Sequence, residues 1–130
     1  MSTQNINPEI VMFSCGGASN VGQIGNDAVR ALDQLGHGTM CCSLAVIAQH
    51  PLAVSKAAYA SKRVVVDGCE NGCLKREFES NGLPVDVHFT VDSLGIEKRH
   101  TFDYTEDQVA AVASSIRAAI QASCKEPQVR

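Results

Sequence analysis

Apolar and polar positions fall into blocks along this chain, and the period of each block predicts its conformation. The run from Glu9 to Ser14 is short and apolar and stops at Cys15-Gly16-Gly17, the pattern of a buried strand entering a glycine-rich turn. Val21, Ile24, Ala28, Leu32 and Leu35 then recur at helical spacing. Ser19 or Asn20 is placed to cap that helix, and Gly36 and Gly38 to end it. Thr39 to Ala48 is a second apolar stretch, read as a strand with open boundaries, and Pro51 to Ala60 is an Ala-rich helix candidate. Arg63-Val64-Val65-Val66-Asp67 is the clearest buried strand, because consecutive β-branched residues suit a sheet covered on both faces. Asn71 to Ser80 predicts a helix closed by Asn81-Gly82, and the alternation of Val85, Val87, Phe89 and Val91 predicts a further strand. Thr105-Glu106-Asp107-Gln108 is a capping box, followed by the helical stripe Val109, Val112, Ala113, Ile116 and Ile120.

Strands alternating with helices predict a single-domain α/β fold: a mainly parallel sheet of about four to five strands with helices on both faces, the three-layer Rossmann or flavodoxin-like arrangement. The domain is expected over 9–122, with a loose N-terminus over 1–8 and a loose tail over 123–130.

Composition narrows the function classes. Among 130 residues the charged fraction is 19% and the net charge −3, and no basic stripe is present, so nucleic acid is not an expected partner. No apolar run approaches the roughly 18 residues that cross a bilayer, so no membrane association is expected. The start of the chain lacks the basic and apolar regions of a secretory signal. These features predict a cytoplasmic protein. The aliphatic helix faces leave a homodimer open.

Cysteine changes the picture more. Cys15, Cys41, Cys42, Cys69, Cys73 and Cys124 are expected as reduced thiols in such a compartment, where clustered cysteines point to metal or sulfur chemistry. Ligands of open α/β sheets bind beyond the carboxyl ends of the strands. Cys15 follows the first strand, Cys41 and Cys42 lie in or after the second, and Cys69 follows the third. Cys73 is placed to share a helical face with Cys69. The fold would therefore gather thiols from three loops onto one edge. Gly17-Ala18-Ser19-Asn20-Val21-Gly22 has the glycine spacing of a phosphate-binding loop, but Gln23 and Ile24 replace the lysine and hydroxyl residue that phosphate chemistry needs. Its helix N-terminus would still favour negative charge near Cys15.

Asp67-Gly68-Cys69 followed by Cys73, with Ser19-Asn20-Val21-Gly22-Gln23 after Cys15, resembles the DGC domain family, named for its Asp-Gly-Cys motif. The similarity runs from about Ile10 to Arg117 and takes in the Met40 to Ala45 cysteine segment and Leu94-Gly95-Ile96. Members of the family are read as zinc binders from their cysteines. The resemblance implies a zinc site with Cys15, Cys42, Cys69 and Cys73 as ligands. Cys42 matches the family position better than Cys41 does. The chain departs from the family at Ala18, where some members carry a cysteine, and over Ser43 to Pro51, which brings His50 near.

Thiolates also suit Fe–S clusters, and an Fe–S electron carrier is one alternative. Alternatively the same cysteines serve thiol redox or persulfide transfer toward a partner protein, with Cys69 or Cys15 as nucleophile. Asp67 either stands behind a metal ligand, orienting it or taking a thiol proton, or makes a turn and caps the next helix. Cys124 reads as a packing residue. His37, His88 and His100 read as solvent-facing, and His50 alone as a histidine able to approach the cysteines.

Overall fold

The valines of the central strand determine which faces of the sheet must be covered. In the computed structural model, which describes residues 10–125, β3 (Lys62–Asp67) lies inside a four-stranded, wholly parallel sheet. It pairs with β1 (Ile10–Ser14) on one side and β4 (Val87–Thr90) on the other. β2 (Thr39–Met40) adds to the far side of β1, giving the order β2-β1-β3-β4.

Side chains alternate across a strand, so paired positions share a face. Met12 sits opposite Val64, and both enter a core with Ile24, Val29 and Leu32 of α1 (Asn20–Gln34) and Val112 and Ile116 of α5 (Glu106–Lys125). Phe13 sits opposite Val65, and these enter a second core with Val46 of α2 (Ser43–Ile47), Ala57 of α3 (Pro51–Tyr59) and Leu74 and Phe78 of α4 (Cys73–Ser80). The rings of Phe13 and Phe78 meet edge to face with centroids 4.8 Å apart. This is the expected three-layer α/β fold. Among the described residues no helix is long and apolar enough to cross a membrane.

Side-chain caps start α1 and α5. Ser19 accepts the Gly22 N–H at 3.1 Å, and the Thr105–Gln108 capping box forms in both directions, at 3.0 and 3.1 Å. Arg63 closes α3 from the sheet: its guanidinium donates to the carbonyls of Ala57 at 2.9 Å and Ala60 at 2.8 Å and pairs with Asp86 at 3.0 Å.

The boundaries differ from the sequence reading in four places. Thr39 to Ala48 does not form one strand: β2 has two residues, and Ser43 donates to the Ser14 carbonyl at 2.8 Å as the chain leaves the sheet edge to form α2. The Asn71 to Ser80 helix begins at Cys73, because Gly72 takes a left-handed φ of 61° that no helix continues. The fourth strand ends at Thr90, and Val91 is buried instead at the start of a 3₁₀ turn (Val91–Leu94). Helix α5 runs through Lys125, so the first residues assigned to the tail are helical; 1–9 and 126–130 lie outside the described residues.

Backbone meets backbone where the turns after β1 and β3 come together. A Cβ on Gly68 would lie 2.7 Å from the Gly22 nitrogen, and one on Gly22 would lie 2.3 Å from the Gly17 oxygen. Main chain cannot yield as the far end of a side chain can, so both positions require glycine. Gly68→Ala is expected to cost about 2–3 kcal/mol through overpacking. Urea denaturation should show a lower midpoint with an unchanged slope; an unshifted midpoint would mean that the two turns are free to separate.

Candidate functional site

Helix α1 carries the chain from β1 outward to β2, whereas β3 lies on the other side of β1. Beyond the point where their turns meet, the connections after β1 and β3 therefore lead to opposite sides of the sheet, and such a switch point leaves a crevice at the carboxyl edge. A cavity of about 320 Å³ occupies it, lined by Cys15, Cys69, Cys73, Lys98 and His100 together with backbone of the two turns.

Cys15 is held as an extension of β1 by its N–H, which donates to the Val66 carbonyl at 3.0 Å. Its sulfur accepts the N–H groups of Gly17 and Gly68, each at 3.4 Å, one from each turn. The amide of Gln23 donates to the Gly17 carbonyl at 3.0 Å and fixes the first turn. Cys69 stands on the second turn, which is held by the Asp92 N–H on the Gly68 carbonyl and by the Glu70 N–H on the Asp92 carboxylate, both at 3.1 Å. The Lys98 ammonium lies 3.6 Å from the Cys69 sulfur. Cys73 is the first residue of α4. It does not share a helix with Cys69, because the turn closed by the Gly72 N–H on the Cys69 carbonyl lies between them.

Asp67 is 2% exposed and its carboxylate is fully engaged. Its two oxygens accept the N–H groups of Leu74 at 2.9 Å and Lys75 at 3.2 Å, the first turn of α4, and His88 Nε2 lies 2.8 Å away. Of the two roles the sequence left open, the helix cap is thus visible in the geometry. His88, expected on the surface, is half-buried by that contact.

Sequence reasoning missed the segment that covers the crevice. His100 read as solvent-facing and Lys98 was given no role; both side chains are exposed, yet they border the cavity. Asn20 places them there. It is buried, its amide donates to the Glu97 carbonyl at 2.9 Å, and its carbonyl oxygen and N–H exchange bonds with the Arg99 backbone at 2.7 and 3.1 Å. The visible signal was the basic cluster Lys98-Arg99-His100, but no local pattern ties it to Asn20.

The remaining candidates lie elsewhere. Cys42 is exposed at the start of α2 and does not line the cavity; His50 is exposed at the start of α3. Cys41 packs against the second core. Burial pushes its thiol above the usual range; Lys56 opposes that, and Asp33 and Cys42 add to it. Cys124, read as a packing residue, is exposed on α5. A groove of similar size, about 380 Å³, lies along α1 and α5, lined by Asp27, Arg30 and Tyr104 among others, but holds no thiol. There the Tyr104 hydroxyl donates to Asp27 at 2.6 Å, and that bond raises its pKa.

Soft thiols are the right donors for zinc. In position the fit is incomplete: among the described residues no three His, Cys, Asp or Glu side chains converge closely enough to hold a metal ion. All six cysteines are free thiols.

The DGC domain profile matches residues 11–116. The chain is also 30% identical over 96 residues to the anaerobic and virulence modulator AnvM of Pseudomonas aeruginosa, which spans 74% of this chain and 73% of the relative. No solved structure matches it.

Two outcomes follow from this geometry. Because a raised pKa leaves less thiolate near neutral pH, Cys41 should react with iodoacetamide more slowly than exposed Cys124, as site-resolved mass spectrometry of the reduced protein would show; equal rates would contradict the burial. Asp67→Ala should cost about 1–3 kcal/mol by leaving buried N–H groups of α4 without an acceptor. Hydrogen exchange at Leu74 and Lys75 should accelerate, and unchanged protection there would remove the cap from the account.

Proposed function

Because this chain belongs to the DGC domain family, we propose that it is a small metal-binding protein, with zinc as the metal and Cys15, Cys69 and Cys73 as the protein donors. The observation that carries this reading is the meeting of these thiols on one cavity at the switch point of the sheet. Convergence on an ion requires side-chain rotation. Moving thiols between staggered rotamers is a small cost, of order 1 kcal/mol each, against apparent zinc-binding free energies of about 10–16 kcal/mol in structural sites. Three thiolates on a divalent ion leave a net negative charge, and the Lys98 ammonium beside Cys69 offsets it. Cys42 drops out of the ligand set because it does not line the cavity, and His100 replaces His50 as the histidine within the cavity wall. The fourth coordination position belongs to His100 or to an exogenous ligand. AnvM is named as an anaerobic and virulence modulator, which accords with a binding or sensing role.

A second reading is favoured by the contact of Lys98 with Cys69. It makes Cys69 the nucleophile of a thiol redox or persulfide-transfer protein and Cys15 or Cys73 its resolving thiol. An Fe–S cluster would use the same donors and announce itself by visible absorption.

Elemental analysis with chelator competition, on untagged protein purified anaerobically, separates these readings. The expected result is about one colourless zinc per chain, weakened at least ~10-fold by Cys15→Ser, Cys69→Ser or Cys73→Ser and unaffected by Cys42→Ser or Cys124→Ser. A metal-free chain in which Cys69 alkylates fastest would overturn the metal reading in favour of the nucleophile. Loss of zinc with Cys42→Ser would restore the larger ligand set.

A further inference from the structure

The cavity is far larger than an ion. At about 320 Å³ it falls at the lower end of the range occupied by small organic ligands, and a water takes only about 30 Å³. Its wall also sorts ligands by chemistry. The thiols of Cys15, Cys69 and Cys73 make one side soft. Asp67, the carboxylate on the wall, is buried, and both its oxygens are taken up by N–H groups of α4 and by His88 rather than turned to the cavity as free acceptors. Lys98 supplies a positive charge. Among the described residues its ammonium forms no ion pair, since the neighbouring Glu97 is taken by Arg99 at 3.6 Å. Lys98 is also not a freely swinging side chain on a loose loop, because its backbone neighbours on both sides are bonded to buried Asn20.

We infer that this cavity receives a small organic thiol that also carries a carboxylate, its sulfur facing the cysteine side and its carboxylate pairing with Lys98. The inference shares the cavity with the metal reading, but the carboxylate pairing with Lys98 does not depend on a metal. Asn20 acts as a positioning residue: it touches no ligand and sets the distance between Lys98 and the thiols. The binding is reversible association without electron or group transfer.

The test uses the full reduced chain and mercaptoacetate as probe, with acetate and 2-mercaptoethanol as its separated halves. Binding is followed by titration calorimetry and by amide shifts of Gly17 and Gly68, and zinc is measured before and after. Mercaptoacetate is expected to bind more tightly than either half. Lys98→Gln, which alters an exposed side chain and spares the fold, should weaken it about fivefold or more, while Lys98→Arg retains it. No binding, equal affinity for mercaptoacetate and 2-mercaptoethanol, or indifference to Lys98→Gln overturns the inference. Zinc-loaded protein that ignores mercaptoacetate defeats this inference and leaves the metal reading standing. Zinc-free protein that binds it through Lys98 does the reverse.

Discussion

The contact of Gly22 with Gly17 and Gly68 is the constraint on which the rest of the site depends. Two turns leave the sheet from adjacent strands; a side chain on Gly68 would force them apart, and one on Gly22 would strike the Gly17 main chain within the first loop. With none, the main chains touch, and the Gly68 N–H reaches the sulfur of Cys15. The second turn then delivers Cys69 and the start of α4, with Cys73, to the same crevice. A glycine-rich first loop that looks like a failed phosphate cradle therefore has another use here. Its glycines let a thiol on one strand end and a thiol on the next turn share a cavity.

Around that contact, each polar group has a definite assignment. Asp67 holds α4 in place by accepting the N–H groups of Leu74 and Lys75. Asn20, at the start of α1, holds the covering segment, and that segment brings Lys98 and His100 to the cavity. The chemistry left for a ligand is soft on one side and cationic on the other. This combination is what the proposed metal and nucleophile readings share, because N–H groups and a nearby ammonium favour negative sulfur in either.

Much of the fold was legible in the chain because its signals are local. The valine run of β3, the stripes of α1 and α5 and the capping box at Thr105 each lie within a short window, and each forms where its pattern predicts. The order of turns and strands also sufficed to place Cys15, Cys69 and Cys73 on one edge, since ligand sites of parallel sheets follow from topology. Edge strand β2 was less legible. A two-residue pairing leaves no periodicity, and the apolar stretch that contains it is shared between a strand and a helix.

What the tertiary structure alone decided is which side chains join those thiols. Lys98 and His100 lie far from them in sequence and arrive through hydrogen bonds of Asn20 to main chain alone, the Glu97 carbonyl accepting and the Arg99 N–H donating, so the side chains at 97 and 99 carry no signal of it. Cys42 satisfies the motif spacing but turns outward at the start of α2, and His88 reaches Asp67 only because β4 pairs with β3. Periodicity and motif record how a residue relates to its own segment. The separation between two segments is fixed by packing, and here by the absence of a single Cβ.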